Sequence, residues 1–169
     1  KNRVETNVVT GSGQDGIILS PATESVISSN YCTGNKRAGV ALSAFAHGNT
    51  IANNVLNNNG GTGEGQGVAV FNGTSNVVRD NDASYNDIGI RISSAVNPAG
   101  DPQLGNKVVS NTVSGNAHTG IWIEADGAPS IVRLNTVPGS GETDMLDDSA
   151  ACAGNIWKKN AFTSISATP

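Results

Sequence analysis

The sequence predicts an all-β, right-handed parallel β-helix, a single solenoid of about seven coils, each about 24 residues long with three short strands. Three observations carry this. An Asn-centred frame recurs along the chain, apolar residues keep fixed places within it, and the composition is rich in Gly and poor in aromatic and charged residues.

The frame is set by coil starts at Asn2, Ser25, Asn49, Asn76, Asn106, Ser130 and Asn155, at intervals of 23, 24, 27, 30, 24 and 25 residues. Five residues after each start stand Asn7, Asn30, Asn54, Asn81, Asn111, Asn135 and Asn160. Five further on come Ser12, Asn35, Asn59, Asn86, Asn116 and Ser140, and then Gly16, Gly39, Gly67, Gly89, Gly120 and Asp144. Asn suits such corners because it tolerates the left-handed conformation, bonds local backbone, and can bond to a copy of itself in the next coil.

Each strand of the coil follows from its apolar positions. The first is marked by Val4, Ile27, Ile51, Val78, Val108, Val132 and Trp157, and the second by Val9, Cys32, Leu56, Ala83, Val113, Val137 and Phe162. The third alternates after the Gly, as Ile17/Leu19, Val40/Leu42, Val68/Val70, Ile90/Ile92 and Ile121/Ile123. Alternation of period two means one buried face per strand. Such strands are too short to fold singly but can stack on like neighbours about 4.8 Å away, so seven coils reach about 30 Å.

Composition bounds the rest. The 169 residues suit one domain over 1–169. Ten Lys and Arg against 14 Asp and Glu give a net charge of -4 with 14% charged residues, so the overall balance predicts no nucleic-acid partner. No apolar run approaches the roughly 20 residues of a membrane span, so no insertion is expected. With 21 Gly and 4% aromatics, turns and strands are favoured over helices.

The pattern N-x-[VI]-x-x-N-x-[VI]-x-x-N-x-x-x-G-[IV]-x-[IL], cleanest from Asn106 to Ile123, resembles the pectin-lyase-like superfamily, particularly its NosD-type, carbohydrate-associated right-handed β-helix repeats. The resemblance covers almost the whole chain. It implies the same fold, a bacterial source and an extracellular, periplasmic or cell-surface address. It implies no single activity, because the superfamily holds lyases, hydrolases, epimerases, adhesins and inert scaffolds.

The ends and loops depart from the frame. No amphipathic helix precedes Asn2, so the expectation is an N-terminal end covered by the remainder of a longer polypeptide or by another subunit. Residues 144–169 read as a C-terminal capping region, with Trp157 and Phe162 enlarging two core columns. An acidic stretch followed by a Cys and Asn-x-Trp is similar to the ends of bacterial β-helix repeat proteins. Two insertions, Gly60 to Gln66 and Ser93 to Gly105, flank the third strand and are either groove walls or plain surface loops. GGTGEGQG at Gly60 to Gly67 reads as a flexible loop, since neither a helix N-terminus nor tandem calcium repeats follow.

Candidate chemistry gathers on one face. Outward positions of the third strand form the column Ile18, Ala41, Ala69, Arg91, Trp122 and Leu146, in which Arg91 can make a cation–π contact with Trp122. An exposed Trp there is a sugar-stacking platform, a contact surface for another domain, or ordinary surface packing. At the preceding corner Asp15, Arg37, Gln66, Asp87 and His118 hold similar coil positions. Asp87, Arg91 and His118 are the candidate catalytic residues: a His beside a carboxylate supplies a base and Arg91 neutralises a uronate carboxylate. Trp122, Glu124 and Arg37 are the candidate substrate-binding residues. The DPHE signature of the mannuronan epimerases is absent. His47 and His118 sit on different faces without a companion ligand, so no metal and no cofactor is expected. Cys32 occupies a core column about 19 Å along the axis from Cys152, beyond disulfide reach.

The sequence therefore points first to an extracytoplasmic β-helix module that associates with polysaccharide or a cell surface without catalysis. A lyase or C5-epimerase acting on acidic polysaccharide is the second reading. A structural or oligomerising stalk is the third.

Overall fold

Three-residue strands cannot hold a sheet by themselves, and the fold answers this by stacking them. A computed structural model describes residues 1–61, 63, 65–93, 105–124, 129–149 and 154–167. The first strands form a seven-stranded parallel sheet from β1 (Arg3–Glu5), β4 (Val26–Ser28), β7 (Thr50–Ala52), β9 (Val77–Arg79), β11 (Lys107–Val109), β13 (Ile131–Arg133) and β16 (Ile156–Lys158). The third strands form another, from β3 (Ile17–Leu19), β6 (Val40–Leu42), β8 (Gln66–Phe71), β10 (Ile88–Ser93), β12 (Thr119–Ile123), β15 (Thr143–Asp147) and β18 (Ile165–Ala167). Seven rungs mean six turns of a right-handed parallel solenoid between first and last.

The second strand is less regular than expected. It exists as paired strands at the two ends, β2 (Val8–Thr10) with β5 (Tyr31–Thr33) and β14 (Thr136–Val137) with β17 (Ala161–Phe162). Between them the contact shrinks to single bridges, Tyr31 to Val55, Val55 to Asp82, Asp82 to Thr112 and Thr112 to Thr136. Left-handed backbone at Ser29, Asn53, Asp80, Ser110 and Leu134 before it, and at Gly34, Asn58, Tyr85 and Gly115 after it, keeps this side of the coil to a few extended residues, whether they pair as a strand or as a single bridge.

Inside, the predicted columns pack as one core. Ile27, Ile51, Val78, Val108 and Val132 are fully buried, as are Cys32, Leu56, Ala83, Val113 and Val137 beside them. Burial pushes the Cys32 thiol up to about 11, so it is an inert apolar filler. Cys152 lies outside the described residues. At the last rung Trp157 packs against the core but Phe162 stays 42% exposed, although it stacks on Val137 as the frame requires.

Polar ladders run beside the apolar ones. The second corner carries an unbroken series, Asn7, Asn30, Asn54, Asn81, Asn111, Asn135 and Asn160. In it each backbone N–H and each Nδ2 donates to Oδ1 of the next Asn at 2.9–3.0 Å. The same Nδ2 also donates back to a carbonyl of the preceding coil, as Asn81 does to Ile51 and Asn111 to Val78, each at 3.0 Å. Every amide therefore points the same way, with Oδ1 accepting from the preceding coil and one Nδ2 hydrogen left for the following one.

Two buried carboxylates take over where Asn acceptors run out. At the third corner the seventh rung has no Asn, and Asp144 accepts from the backbone N–H of Ser140 at 2.8 Å, of Thr163 at 2.7 Å and of Ser164 at 3.2 Å, and from the Thr163 hydroxyl. At the first corner Asp147 accepts from Asn155 Nδ2 and, at 2.8 Å, from Trp157 Nε1, together with the Ser149 hydroxyl. Burial would raise both carboxyls, yet the Thr163 hydroxyl and three backbone N–H groups outweigh it at Asp144. Ser149, Trp157 and Asn155 do so at Asp147, so both sit below the usual range.

A carboxyl depressed below its unfolded value of about 3.9 adds stability that is present above that value and fades as pH falls through the folded one. Asp144→Asn and Asp147→Asn should therefore be less stable than the parent at pH 7, with the gap closing below about pH 4. Denaturant titrations across that range would remove this role for the carboxylates if the gap stayed constant.

Candidate functional site

The third sheet presents its outward residues in two parallel columns. Register aligns Ile18, Ala41, Ala69, Arg91, Trp122 and Leu146, as the frame predicts. The adjoining column holds Phe71 beside Ser93, then Glu124 and Asp148, whose backbone N–H groups bond Ile92 and Ile123 carbonyls at 2.9 and 3.0 Å. Inward Ile90, Ile92, Ile121 and Ile123 anchor the strands, so these side chains stand on a rigid floor.

Arg91 is the centre of the cluster. Its guanidinium carbon lies 4.7 Å from the Trp122 ring centroid and 5.4 Å from that of Phe71. Both Nε and Nη2 donate to Glu124 Oε1, the former at 2.9 Å. The pair is partly shielded, with side chains 27% and 20% exposed, so the contact is stronger than an ordinary surface ion pair. Trp122 is fixed at its other end, where Nε1 donates to Asp148 Oδ2 at 2.8 Å. Four successive coils thus contribute to one assembly with an indole held in a single orientation.

The other candidate residues do not join it. Asp87 and His118 are neighbours across adjacent coils, with the His118 N–H bonded to the Asp87 carbonyl at 2.9 Å. The Asp87 carboxylate, however, accepts the Gly65 N–H at 2.7 Å, closing a loop whose neck is pinched where Gly60 meets Gly65. Added side chains there would meet backbone, and Gly60 holds φ at +91°, so both glycines are required. His118 is exposed and its imidazole makes no hydrogen bond with a described residue. Arg91 stands four positions beyond Asp87, about 13 Å along the extended chain. Arg37 is exposed two coils away, bonded to Gln14 Oε1 at 3.3 Å.

The corner register also differs from expectation. Ala38 N–H bonds the Asp15 carboxylate and Gln66 pairs with Ile88, which places Asp15 and Gln66 one position later than Arg37, Asp87 and His118. Each coil reaches its Gly by a slightly different count, so the Gly rather than the preceding Asn sets this corner. Of the two insertions, residues 94–104 lie outside the described set. Among the described residues no group of three or more His, Cys, Asp or Glu is placed to hold a metal ion.

Phe71 and Asp148 were missing from the sequence reading. The signal was present: the outward position two residues after Ala69, Arg91, Trp122 and Leu146 reads Phe71, Ser93, Glu124 and Asp148. Chemically the assembly offers a fixed aromatic surface and hydrogen-bond acceptors. Its one cation is already neutralised.

Comparison with known proteins agrees with this architecture. Among solved structures, the A-module of the mannuronan C-5 epimerase AlgE4 of Azotobacter vinelandii superposes with a TM-score of 0.66 at 14% identity, covering 99% of this chain and 55% of that one. The periplasmic alginate epimerase AlgG gives 0.71 at 19% identity, covering 99% of this chain and 39% of that one. The chain thus spans roughly half of the first and two fifths of the second, and at these identities the likeness is one of fold. No curated protein sequence matches. The model of the right-handed beta helix region matches residues 1–165, and the chain belongs to that family.

Proposed function

We propose that this β-helix is an extracytoplasmic module that binds polysaccharide without transforming it, using the surface around Trp122. The observation that carries this is the immobilised indole, less exposed than its outward position predicts but still partly open to solvent, held by Asp148 and backed by Arg91. A sugar ring stacks best on an aromatic that has no rotamer freedom left to lose. The alginate epimerases that share the fold support both the ligand class and the address, one of them being periplasmic.

The non-catalytic side of the proposal rests on residues already engaged. A lyase or epimerase needs a base and a cation that converge on one sugar, whereas the carboxylate that would pair with His118 is bonded to Gly65, and Arg91, already bonded to Glu124, stands four positions beyond Asp87, about 13 Å along the chain. The epimerase reading keeps its support in the fold likeness alone. Titration of a glycan panel should show binding that Trp122→Ala weakens about thirtyfold, or ~2 kcal/mol. Unchanged binding in that variant would move the site elsewhere. Appearance of unsaturated-uronate absorbance or inverted C5 configuration, abolished by His118→Ala, would replace the proposal with the enzymatic one.

A further inference from the structure

The first sheet carries a charge pattern that the net charge conceals. Its outward positions on the last three rungs, with the left-handed residue that follows each strand, are Lys107, Val109 and Ser110, then Ile131, Arg133 and Leu134, then Ile156, Lys158 and Lys159. Four of the chain's ten Lys and Arg stand on these nine positions, and none of the nine is acidic. Arg133 and Lys158 are direct partners across rungs β13 and β16, about 4.8 Å apart, where like charges repel. All four cations are exposed, and none makes an ion pair with a described residue. Ile156 and Leu134, 51% and 48% exposed, lie among them.

From this we infer a second binding face, on the first sheet, for an acidic polysaccharide laid along the solenoid axis. Spacing selects the ligand. Arg133 and Lys158 stand in register ~4.8 Å apart, close to the length of one pyranose in an extended chain bearing one carboxylate per sugar, and Lys107 stands one rung back in the neighbouring outward column, in register with Ile131. Duplex DNA carries a charge every ~1.7 Å, a density that four cations on a net-negative protein do not match. The exposed Ile and Leu side chains fit the C–H faces of sugar rings. Uronate carboxylates between Arg133 and Lys158 would also relieve the repulsion that the free protein holds there. This face stands on a different sheet from Trp122 and does not depend on it.

The test is titration with polygalacturonate, with neutral dextran as control, at low and at physiological salt. The wild type should bind polygalacturonate alone, with affinity falling as salt rises. The triple variant Lys107→Gln, Arg133→Gln, Lys158→Gln should bind about tenfold more weakly, whereas Lys107→Arg with Lys158→Arg should bind as the wild type does. Because all three positions are exposed, circular dichroism should be unchanged. Undiminished binding in the triple variant, absence of wild-type binding at low salt, or an equal loss in Trp122→Ala would overturn the inference. So would equal binding to duplex DNA or to phosphatidylserine vesicles, which would assign the face to nucleic acid or membrane.

Discussion

Asn81→Ala is expected to lower unfolding stability by about 3 kcal/mol or more, a large share of what a domain of this size holds. Asn81 Oδ1 accepts from both the N–H and Nδ2 of Asn54, and Asn81 Nδ2 donates to the Ile51 carbonyl and to Asn111 Oδ1. Truncation leaves the buried Asn54 N–H without its acceptor, at about 1–3 kcal/mol, takes one of several partners from Asn54 Nδ2 and Asn111 Oδ1 and a donor from the Ile51 carbonyl, and opens a void in a close-packed ladder. Asn53→Gly is the matched contrast. Asn53 is exposed with φ of 56°, a conformation that glycine adopts freely, so that change should be close to neutral. Urea titration of the two variants decides it. A loss below about 1 kcal/mol in Asn81→Ala would mean that the ladder is ornament on an apolar core.

Gly89→Ala should be nearly as damaging, at about 3 kcal/mol, although it adds one methyl group. That methyl would overlap Val113 Cγ1 and stand 2.6 Å from the Gly120 carbonyl and 2.8 Å from Asn116 Nδ2. Two of these belong to the backbone and the Asn ladder of the next coil, which cannot yield without breaking other bonds. The same change at Gly13, where nothing lies within 4 Å, should be tolerated. Comparable thermal midpoints for the two variants would show that coils can separate locally, contrary to the close stacking described above.

The architecture was legible because a solenoid repeats its constraints. Asn81 and Asn111 look alike in sequence since each must satisfy the same corner, and Ile18 through Leu146 could be aligned by counting alone. What repetition does not encode stayed hidden. The Arg91 to Glu124 pair and the Trp122 to Asp148 bond join unlike residues from different coils, 33 and 26 positions apart, and no periodic rule predicts such a partner. Asp87 looked like a free carboxylate until the insertion that it fastens could be placed, since the loop's return depends on Gly60 crossing Gly65. Phe162 fits its column, yet a column position implies burial only where a rung covers it on both sides. The basic face was overlooked for another reason: a net charge of -4 averages over surfaces that point in different directions.

The common orientation of the second-corner amides gives the solenoid a direction in time as well as in space. Each Asn leaves a donor that only the coil made after it can accept, from Asn30 to Asn54 and onward to Asn160. A chain emerging from the ribosome N-terminus first meets these needs in the order of synthesis, every new coil completing the one before. Vectorial folding of this kind requires no long-range search, and a permuted chain that begins at a middle coil should lose that advantage while keeping the same final bonds.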